Sequence, residues 1–420
     1  MSVREWWSAT ALLLVLAALP GMSARADEHT DHAHEPVAVD PELTLDAVVD
    51  AALAAYPKAP ELDARQSQAD AWARRGRSLI GGRPSLMLRY QSDRWGSDNG
   101  LDEYEAGIEL PFWSWGGRSA VRDYGEALLA ESGAARSALR WEVAGVVRDA
   151  LWEVALAENA HELAEQSLAT SARLLEVVQR RYDLGDVAER DVLLARSSYL
   201  EYQTALTAAG AELTDAERFY RIVTGLGRRP RFVAEPLSDI VDITAEHPAL
   251  AFADLAVERA AADVEVMRRT GNAGASVLIG TRRERPAFGT TFDDSIGVTV
   301  NVPFGGGAHR ETEVSAAARA ASEARAARNQ AVRDLTLRMH EAAHNLTVIR
   351  ENVAAASQRL DIAIRQETMA ELAYEKGELE LMDLLRIRET TLAARRHAAR
   401  LQIEEKRQTA LYNQAAGVLP

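Results

Sequence analysis

Two stretches of the chain alternate apolar and other residues with a period of two. Every second residue is apolar from Tyr104 to Phe112, and again from Ile296 to Phe304. This alternation predicts β-strands with one apolar and one polar face. A weaker alternation precedes each stretch, so each half of the chain is predicted to hold one β-hairpin. The predicted strands cover about residues 84–93, 103–113, 275–283 and 295–304.

Two long tracts predict helices instead. No proline occurs between Phe112 and Arg229 or between Phe304 and Leu419, and both tracts are rich in Ala, Leu, Glu and Arg. Because proline breaks helix interiors, these tracts predict long helices. Apolar residues recur at helical spacing from Val332 to Val353. A helix from Arg118 to Tyr182 would be roughly 100 Å long at about 1.5 Å per residue, which exceeds the size of a globular core.

The two halves of the chain repeat each other. A shorter helical pattern precedes each hairpin, at about Leu43–Ser78 and at Pro248–Thr270, so the order in each half is helix, hairpin, long helix, turn and returning helix. A fixed period of this length predicts a duplicated structural unit. We assign residues 43–226 to repeat 1, 227–246 to a linker and 247–420 to repeat 2. At an offset of 192, Pro111, Phe112, Tyr182, Gly185, Asp191 and Arg196 recur as Pro303, Phe304, Tyr374, Gly377, Asp383 and Arg388.

The N-terminus predicts export. An apolar run from Ala9 to Leu19 is followed by Ala24-Arg25-Ala26, so residues 1–26 resemble a secretory signal that is removed from the mature chain. No later segment approaches about 18 uninterrupted apolar residues, so a mature chain that enters a membrane must do so as a barrel. Since four strands cannot close a barrel alone, several copies must contribute strands.

Charge and composition narrow the choice of partners. There is no cysteine and therefore no disulfide, and the net charge of −15 becomes −16 when the signal, with two arginines and one glutamate, is removed. An acidic chain argues against nucleic acid and favours cationic cargo, although a solvated acidic surface also explains it.

Residues 27–42 are predicted to form a flexible, His-rich leader. Its first nine residues hold three imidazoles and four carboxylates, a composition that suits zinc, cobalt or nickel. A solvated leader without metal is an equal alternative. The candidate metal ligands are His29, His32 and His34.

A zinc-peptidase motif occurs in the second long helix. His340, Glu341 and His344 match H-E-x-x-H. In a helix rich in Ala, Glu, Arg and His such a match arises easily, and the sequence offers no third ligand beside it. A zinc peptidase is therefore a remote alternative, and we expect no enzyme and no cofactor. A structural periplasmic coiled coil is a further alternative, which the alternating strands oppose.

The order of elements, the Pro-Phe strand ends and the two Tyr-x-x-Gly turns together resemble the TolC family of outer-membrane efflux channels. The resemblance implies a fold that is mainly α with a β-barrel portion, in which the duplicated helix–hairpin–long helix–helix unit forms a homotrimer. It implies a twelve-stranded barrel in the bacterial outer membrane, in contact with lipid, continued by an α-helical tunnel in the periplasm.

In this family the turns between long helices form the periplasmic tip, where an adaptor protein docks and the tunnel closes. By matching position, Asp191 and Tyr374 resemble a polar link that holds neighbouring coiled coils shut, and Asp383 resembles an acid at the constriction. The sequence departs from the family pattern at Leu379 and Arg386, where a basic residue and a second acid are expected. Packing of the coil ends is an equally open role for Tyr374 and Asp191. The implied docking tips are Leu184, Gly185, Asp186 and Val187, and Lys376, Gly377, Glu378 and Leu379.

The resemblance, the acidic charge and the His-rich leader together predict the outer-membrane channel of a tripartite complex. It would be a passive exit duct for divalent heavy-metal cations, pumped by an inner-membrane resistance-nodulation-division (RND) transporter through a periplasmic adaptor. A TolC-like duct for drugs or a secreted polypeptide is the alternative. The sequence leaves the ion, the pump and the resting state of the gate open.

Overall fold

The computed structural model describes residues 36–231, 233–271, 274–305 and 307–420, apart from the side chain of His309. The predicted signal, residues 1–26, lies outside the described residues. The candidate metal ligands His29, His32 and His34 also lie outside them and stay predictions.

Helices form most of the described chain. The two longest span 67 and 69 residues, so each is about 100 Å long at about 1.5 Å per residue. No helix in the described residues is both long and apolar enough to cross a membrane. The helices are α1 (Leu45–Ala55), α2 (Ala59–Arg77), α3 (Gly117–Asp183), α4 (Glu189–Thr224), α5 (Pro248–Thr270), α6 (Gly307–Glu375) and α7 (Leu381–Ala415).

The helical pattern predicted over about Leu43–Ser78 forms two helices. Between α1 and α2, Tyr56 is extended, with φ −71° and ψ 134°. Pro57 follows it, and the proline ring disfavours the helical conformation of the preceding residue. The apolar periodicity continues across this break, which is why the pattern alone suggested one helix.

Four antiparallel strands form a sheet in the order β2-β3-β5-β6, so the two predicted hairpins are present and are joined through their inner strands. Two further short strands, one on each side of repeat 1, pair in parallel. The strands are β1 (Ala38–Asp40), β2 (Ser85–Ser92), β3 (Asp102–Pro111), β4 (Arg228–Pro230), β5 (Ser276–Arg285) and β6 (Asp293–Asn301).

The four-stranded sheet has one apolar face, which is exposed in the single chain. Leu86, Ile108, Ile279 and Val298 lie side by side across the four strands, and between 49% and 69% of each is exposed. The opposite face carries charged residues in adjacent strands. There Arg282 contacts Glu103 at 2.9 Å and Glu105 at 3.8 Å, and Arg89 reaches Glu105 at 3.4 Å.

The segment after Glu35 is part of the folded unit. Although residues 27–42 were predicted to be a flexible leader, β1 pairs with β4 inside the predicted linker. Asp40 accepts a 2.9 Å ion pair from Arg228, and the backbone N–H of Val37 donates to buried Glu217 at 3.2 Å. These contacts join distant parts of the chain, so no local pattern predicts them.

A fully buried arginine fastens the linker and the C-terminal segment to α3. Arg148 has no exposed surface and donates to both carboxylate oxygens of Glu235, at 2.7 and 2.8 Å. It also donates to Gln414 and to the carbonyl of Val418. Because a buried charge without its partner is costly, we expect loss of Glu235 alone to be more damaging than loss of a surface pair.

Candidate gate and docking tips

The two turns between long helices have the same backbone geometry. In each, a glycine with positive φ, 77° at Gly185 and 76° at Gly377, follows the end of the helix. Asp186 N–H donates to the Arg181 carbonyl at 2.9 Å, and Glu378 N–H donates to the Ala373 carbonyl at 2.8 Å. This bond pattern satisfies the last carbonyls of α3 and α6 and requires the left-handed conformation that glycine adopts at no steric cost. The repeated Tyr-x-x-Gly motif is therefore a helix end.

The side chains at the two turns are largely exposed. Leu184 is 80% exposed, and Asp186, Lys376 and Glu378 are exposed as well. Val187 and Leu379 are half-buried and pack against one apolar cluster, which joins the ends of all four long helices. Leu379, where a basic residue is expected in the TolC family, therefore has a packing role in the single chain.

Tyr374 lies inside this apolar cluster. It is 8% exposed, and the Arg181 guanidinium lies over its ring, 5.2 Å from the centroid. Its hydroxyl is buried and has no hydrogen-bond partner within the described residues. Its counterpart in the first repeat, Tyr182, is 39% exposed. The two halves of the duplicated motif thus occupy different environments.

The two acids of the predicted gate lie in the first turns of the returning helices. Asp191 is in the first turn of α4 and contacts Arg190 at 3.3 Å. Asp383 is in the first turn of α7 and is exposed, as is Arg386 one turn later. A carboxylate in the first turn also complements the helix dipole. The Tyr374 hydroxyl has no hydrogen-bond partner among the described residues, so its predicted link to Asp191 across neighbouring coiled coils stays a prediction.

A groove between the two coiled coils holds ion pairs that sequence reasoning missed. Arg388 contacts Glu371 at 2.6 Å, and Arg395 contacts Glu367 at 2.9 Å. Burial raises the pKa of Glu367 above its ordinary value, and Arg395 opposes this shift. The sequence marked Arg388 only as the repeat counterpart of Arg196. Glu367, Arg388 and Arg395 line a cavity of about 330 Å³ together with Ser167, Thr170, Ser171 and Tyr202.

The zinc-peptidase motif does not form a closed site. His340 and His344 are both exposed on α6. Among the described residues, no three His, Cys, Asp or Glu side chains are placed to hold a metal ion. A catalytic zinc site needs three protein ligands and a bound water, and the described part of α6 supplies two exposed imidazoles.

Comparisons with known proteins agree with this arrangement. Residues 48–224 match the family model described as outer membrane efflux protein. No curated protein sequence matches the chain. Among solved structures, the outer membrane protein VceC of Vibrio cholerae matches with a TM-score of 0.71 and 18% identity, covering 89% of this chain and 96% of VceC.

Two further solved channels are similar over most of their length. The outer membrane channel CmeC of Campylobacter jejuni matches with a TM-score of 0.69 and 16% identity, covering 89% of this chain and 85% of CmeC. CusC matches with a TM-score of 0.71 and 14% identity, covering 89% of this chain and 92% of CusC. At these identities the likeness shows the fold alone. The fold class expected from the sequence, mainly α with a β-barrel portion, is confirmed.

Proposed function

We propose that the chain is a member of the outer membrane efflux protein family, whose model matches residues 48–224, and that it is the passive exit duct of a tripartite complex exporting divalent metal cations. Its location is the bacterial outer membrane, with the helices extending into the periplasm. Proteins of this fold are channels rather than enzymes. The chain therefore needs no nucleotide and no catalytic residue.

The observation that carries the proposal is the division of the four-stranded sheet into two faces. Its exposed apolar face has the alternation and strand length of a membrane barrel, with lipid on the apolar side and water on the polar side. The strand residues on the polar face include two basic and five acidic side chains. They are Arg89 and Arg282, and Glu103, Glu105, Glu109, Glu284 and Asp293. A lumen with this excess of carboxylates attracts cations and disfavours anions.

The proposed partners are two further copies of the chain, a periplasmic adaptor and an inner-membrane RND pump. The adaptor would dock at the exposed turns around Gly185 and Gly377. Exposed Leu184 would contact the apolar flank of an adaptor helix, whereas Asp186 and Glu378 would select basic residues on that helix and Lys376 an acidic one.

The second part of the proposal is the identity of the cargo. The acidic lumen and the predicted His-rich leader both favour divalent cations over anionic or neutral organic compounds. A duct for drugs or a polypeptide uses the same architecture and is the second candidate. The half-apolar cavity beside Tyr202 does not decide between them, because its lining combines apolar Leu174 and Leu385 with charged Glu367 and Arg388.

The test is a deletion strain compared with the same strain carrying the gene on a plasmid. Growth is measured in graded zinc, cobalt and nickel, and separately with a detergent, a cationic dye and a hydrophobic antibiotic. We expect the deletion to sensitise cells to at least one of the metals, with complementation restoring growth. Sensitivity restricted to the organic compounds would contradict the metal assignment and favour the drug duct.

A further inference from the structure

The two repeats bury equivalent faces of their long helices to very different extents. On α3, one face is buried beneath the two short helices α2 and α5, which both pack on α3; it consists of Val121, Tyr124, Leu128, Glu131 and Ala135. On α6, the residues 192 positions later are all exposed; they are Glu313, Ala316, Ala320, Glu323 and Ala327. α6 packs against α5 on one side, as α3 packs against α2. Within the described part of the chain, α6 has no counterpart of the α3–α5 contact.

The duplication identifies that counterpart. Asp63 of α2 contacts Arg136 of α3 at 3.8 Å, and Asp254 of α5 contacts Arg328 of α6 at 2.7 Å. The same ion pair thus recurs, with an offset of 191 in the short helices and 192 in the long ones. α5 is therefore the repeat equivalent of α2. The only α2 that can cover α6 in the way α5 covers α3 belongs to another copy of the chain.

We propose that the exposed face of α6 receives α2 of a neighbouring copy, and that this contact replaces apolar packing with charge pairing. This inference deepens the proposed channel, on which it rests, by naming the residues that join its subunits. In the α3–α5 contact, Val266 lies in one apolar cluster with Val121. In the proposed contact between copies, Arg75 of α2 takes the position of Val266, and Glu313 of α6 takes the position of Val121.

A second position fits the same arrangement. Arg259 donates to Glu131 at 2.9 Å within the chain, and the equivalents are Gln68 of the neighbouring α2 and Glu323 of α6. The amide of Gln68 can donate to that carboxylate. Gln68 and Arg75 are exposed in the single chain, as a contact with a second copy requires.

The strand pairing within the sheet predicts which residues of neighbouring copies lie opposite each other in the same interface. β2 and β6 are its two edge strands, and within the chain Ile108 of β3 faces Ile279 of β5. Each residue of β6 corresponds to the residue of β3 that lies 192 positions earlier. The strand pairings within the two hairpins show that each residue of β2 corresponds to the residue of β5 that lies 191 positions later. The β3–β5 register therefore predicts that Val300 of one copy lies opposite Leu88 of the next. Both belong to the apolar face.

Cysteine crosslinking tests this register, because the chain has no cysteine of its own. The variant is Val300→Cys with Leu88→Cys, oxidised in outer-membrane fractions. Opposed residues of antiparallel strands have Cα atoms about 4.5–5.5 Å apart, within the range of a disulfide. Within one chain the two positions are three strands apart, about 14 Å, so an intrachain bond is excluded. The matched control is Ile296→Cys with Leu88→Cys, on the same face but four residues out of register.

We expect V300C/L88C to give covalent dimers and trimers on non-reducing gels and I296C/L88C to remain monomeric. Absence of crosslinks in the first variant, equal crosslinks in the control, or covalent products larger than trimers would overturn the interface. A crosslink-negative protein that still confers metal resistance contradicts the interface alone. A crosslinked protein without a metal phenotype contradicts the metal duct and leaves the interface in place.

A charge swap tests the helical part independently. Glu313→Arg should lower the temperature at which the oligomer dissociates in detergent by several degrees, and adding Arg75→Glu should restore it. The control is Glu311→Arg, since Glu311 and its repeat counterpart Ser119 are both exposed. Failure of the second substitution to restore the oligomer would exclude the Glu313–Arg75 pair.

Discussion

An arginine on the apolar face of the sheet should destabilise the protein far more than one on the polar face. Ile279 lies in a central strand, between Ile108 and Val298, and is 49% exposed. An arginine near the midplane of the lipid face of a barrel costs about 2–4 kcal/mol. At about 1.4 kcal/mol per tenfold change, Ile279→Arg should reduce the folding equilibrium constant about 30- to 700-fold.

The control is the next residue. Leu278 points to the opposite face, where its neighbours in β3 and β6 are Glu109 and Thr299. An arginine there lies in water beside a carboxylate, so Leu278→Arg should cost less than about 1 kcal/mol. The free energy of unfolding is measured by urea titration of protein folded into lipid vesicles. Equal losses for the two variants would refute the assignment of the faces.

Three further predictions concern the helices. Tyr374→Phe with Asp191→Ala should raise single-channel conductance without changing the oligomer, because a charge-assisted bond worth about 1.5–3 kcal/mol would be lost; unchanged conductance would leave both residues as packing elements. Asp383→Asn should lower cation selectivity or block by multivalent cations, and an unchanged reversal potential would remove Asp383 from the lumen. His340→Ala with His344→Ala should leave metal resistance intact in growth assays, whereas loss of a measurable peptidase activity would revive the enzyme alternative.

Local sequence patterns predicted the elements of this fold well. The alternation from Tyr104 to Phe112 gave a strand that the structure places at Asp102–Pro111, and the absence of proline gave helices of nearly 70 residues. These signals are local, since they depend on the spacing of side chains along one element. The apolar periodicity continues through Pro57, so periodicity alone does not predict the break between α1 and α2.

Local sequence patterns do not predict contacts between residues that are far apart in the chain. The sequence around Arg148 does not distinguish it from the many arginines on helix surfaces. In the structure, however, it is the most completely buried charged residue among the described residues. Its partner Glu235 lies 87 positions away in a segment without regular structure. Nothing in the spacing of either residue signals the other.

The candidate gate shows a second limit. The repeat marked Tyr374 and Tyr182 as equivalent, but one is buried under Arg181 and the other is exposed. Duplication preserves the backbone of a turn, which depends on glycine, while side-chain environments diverge with their neighbours. Arg388 and Arg196 differ in the same way, since only Arg388 is described with a carboxylate partner in the groove.

The central claim, a passive duct that favours cations, is tested most directly by the reversal potential of the purified mature protein in a planar bilayer. With a tenfold potassium chloride gradient and no energy source, the acidic lumen predicts ohmic channels whose reversal potential lies on the cation-selective side of zero. Added zinc should carry current or block from either side. Channels that prefer anions, or a correctly assembled oligomer that conducts no ions even with the gate residues replaced, would contradict the account.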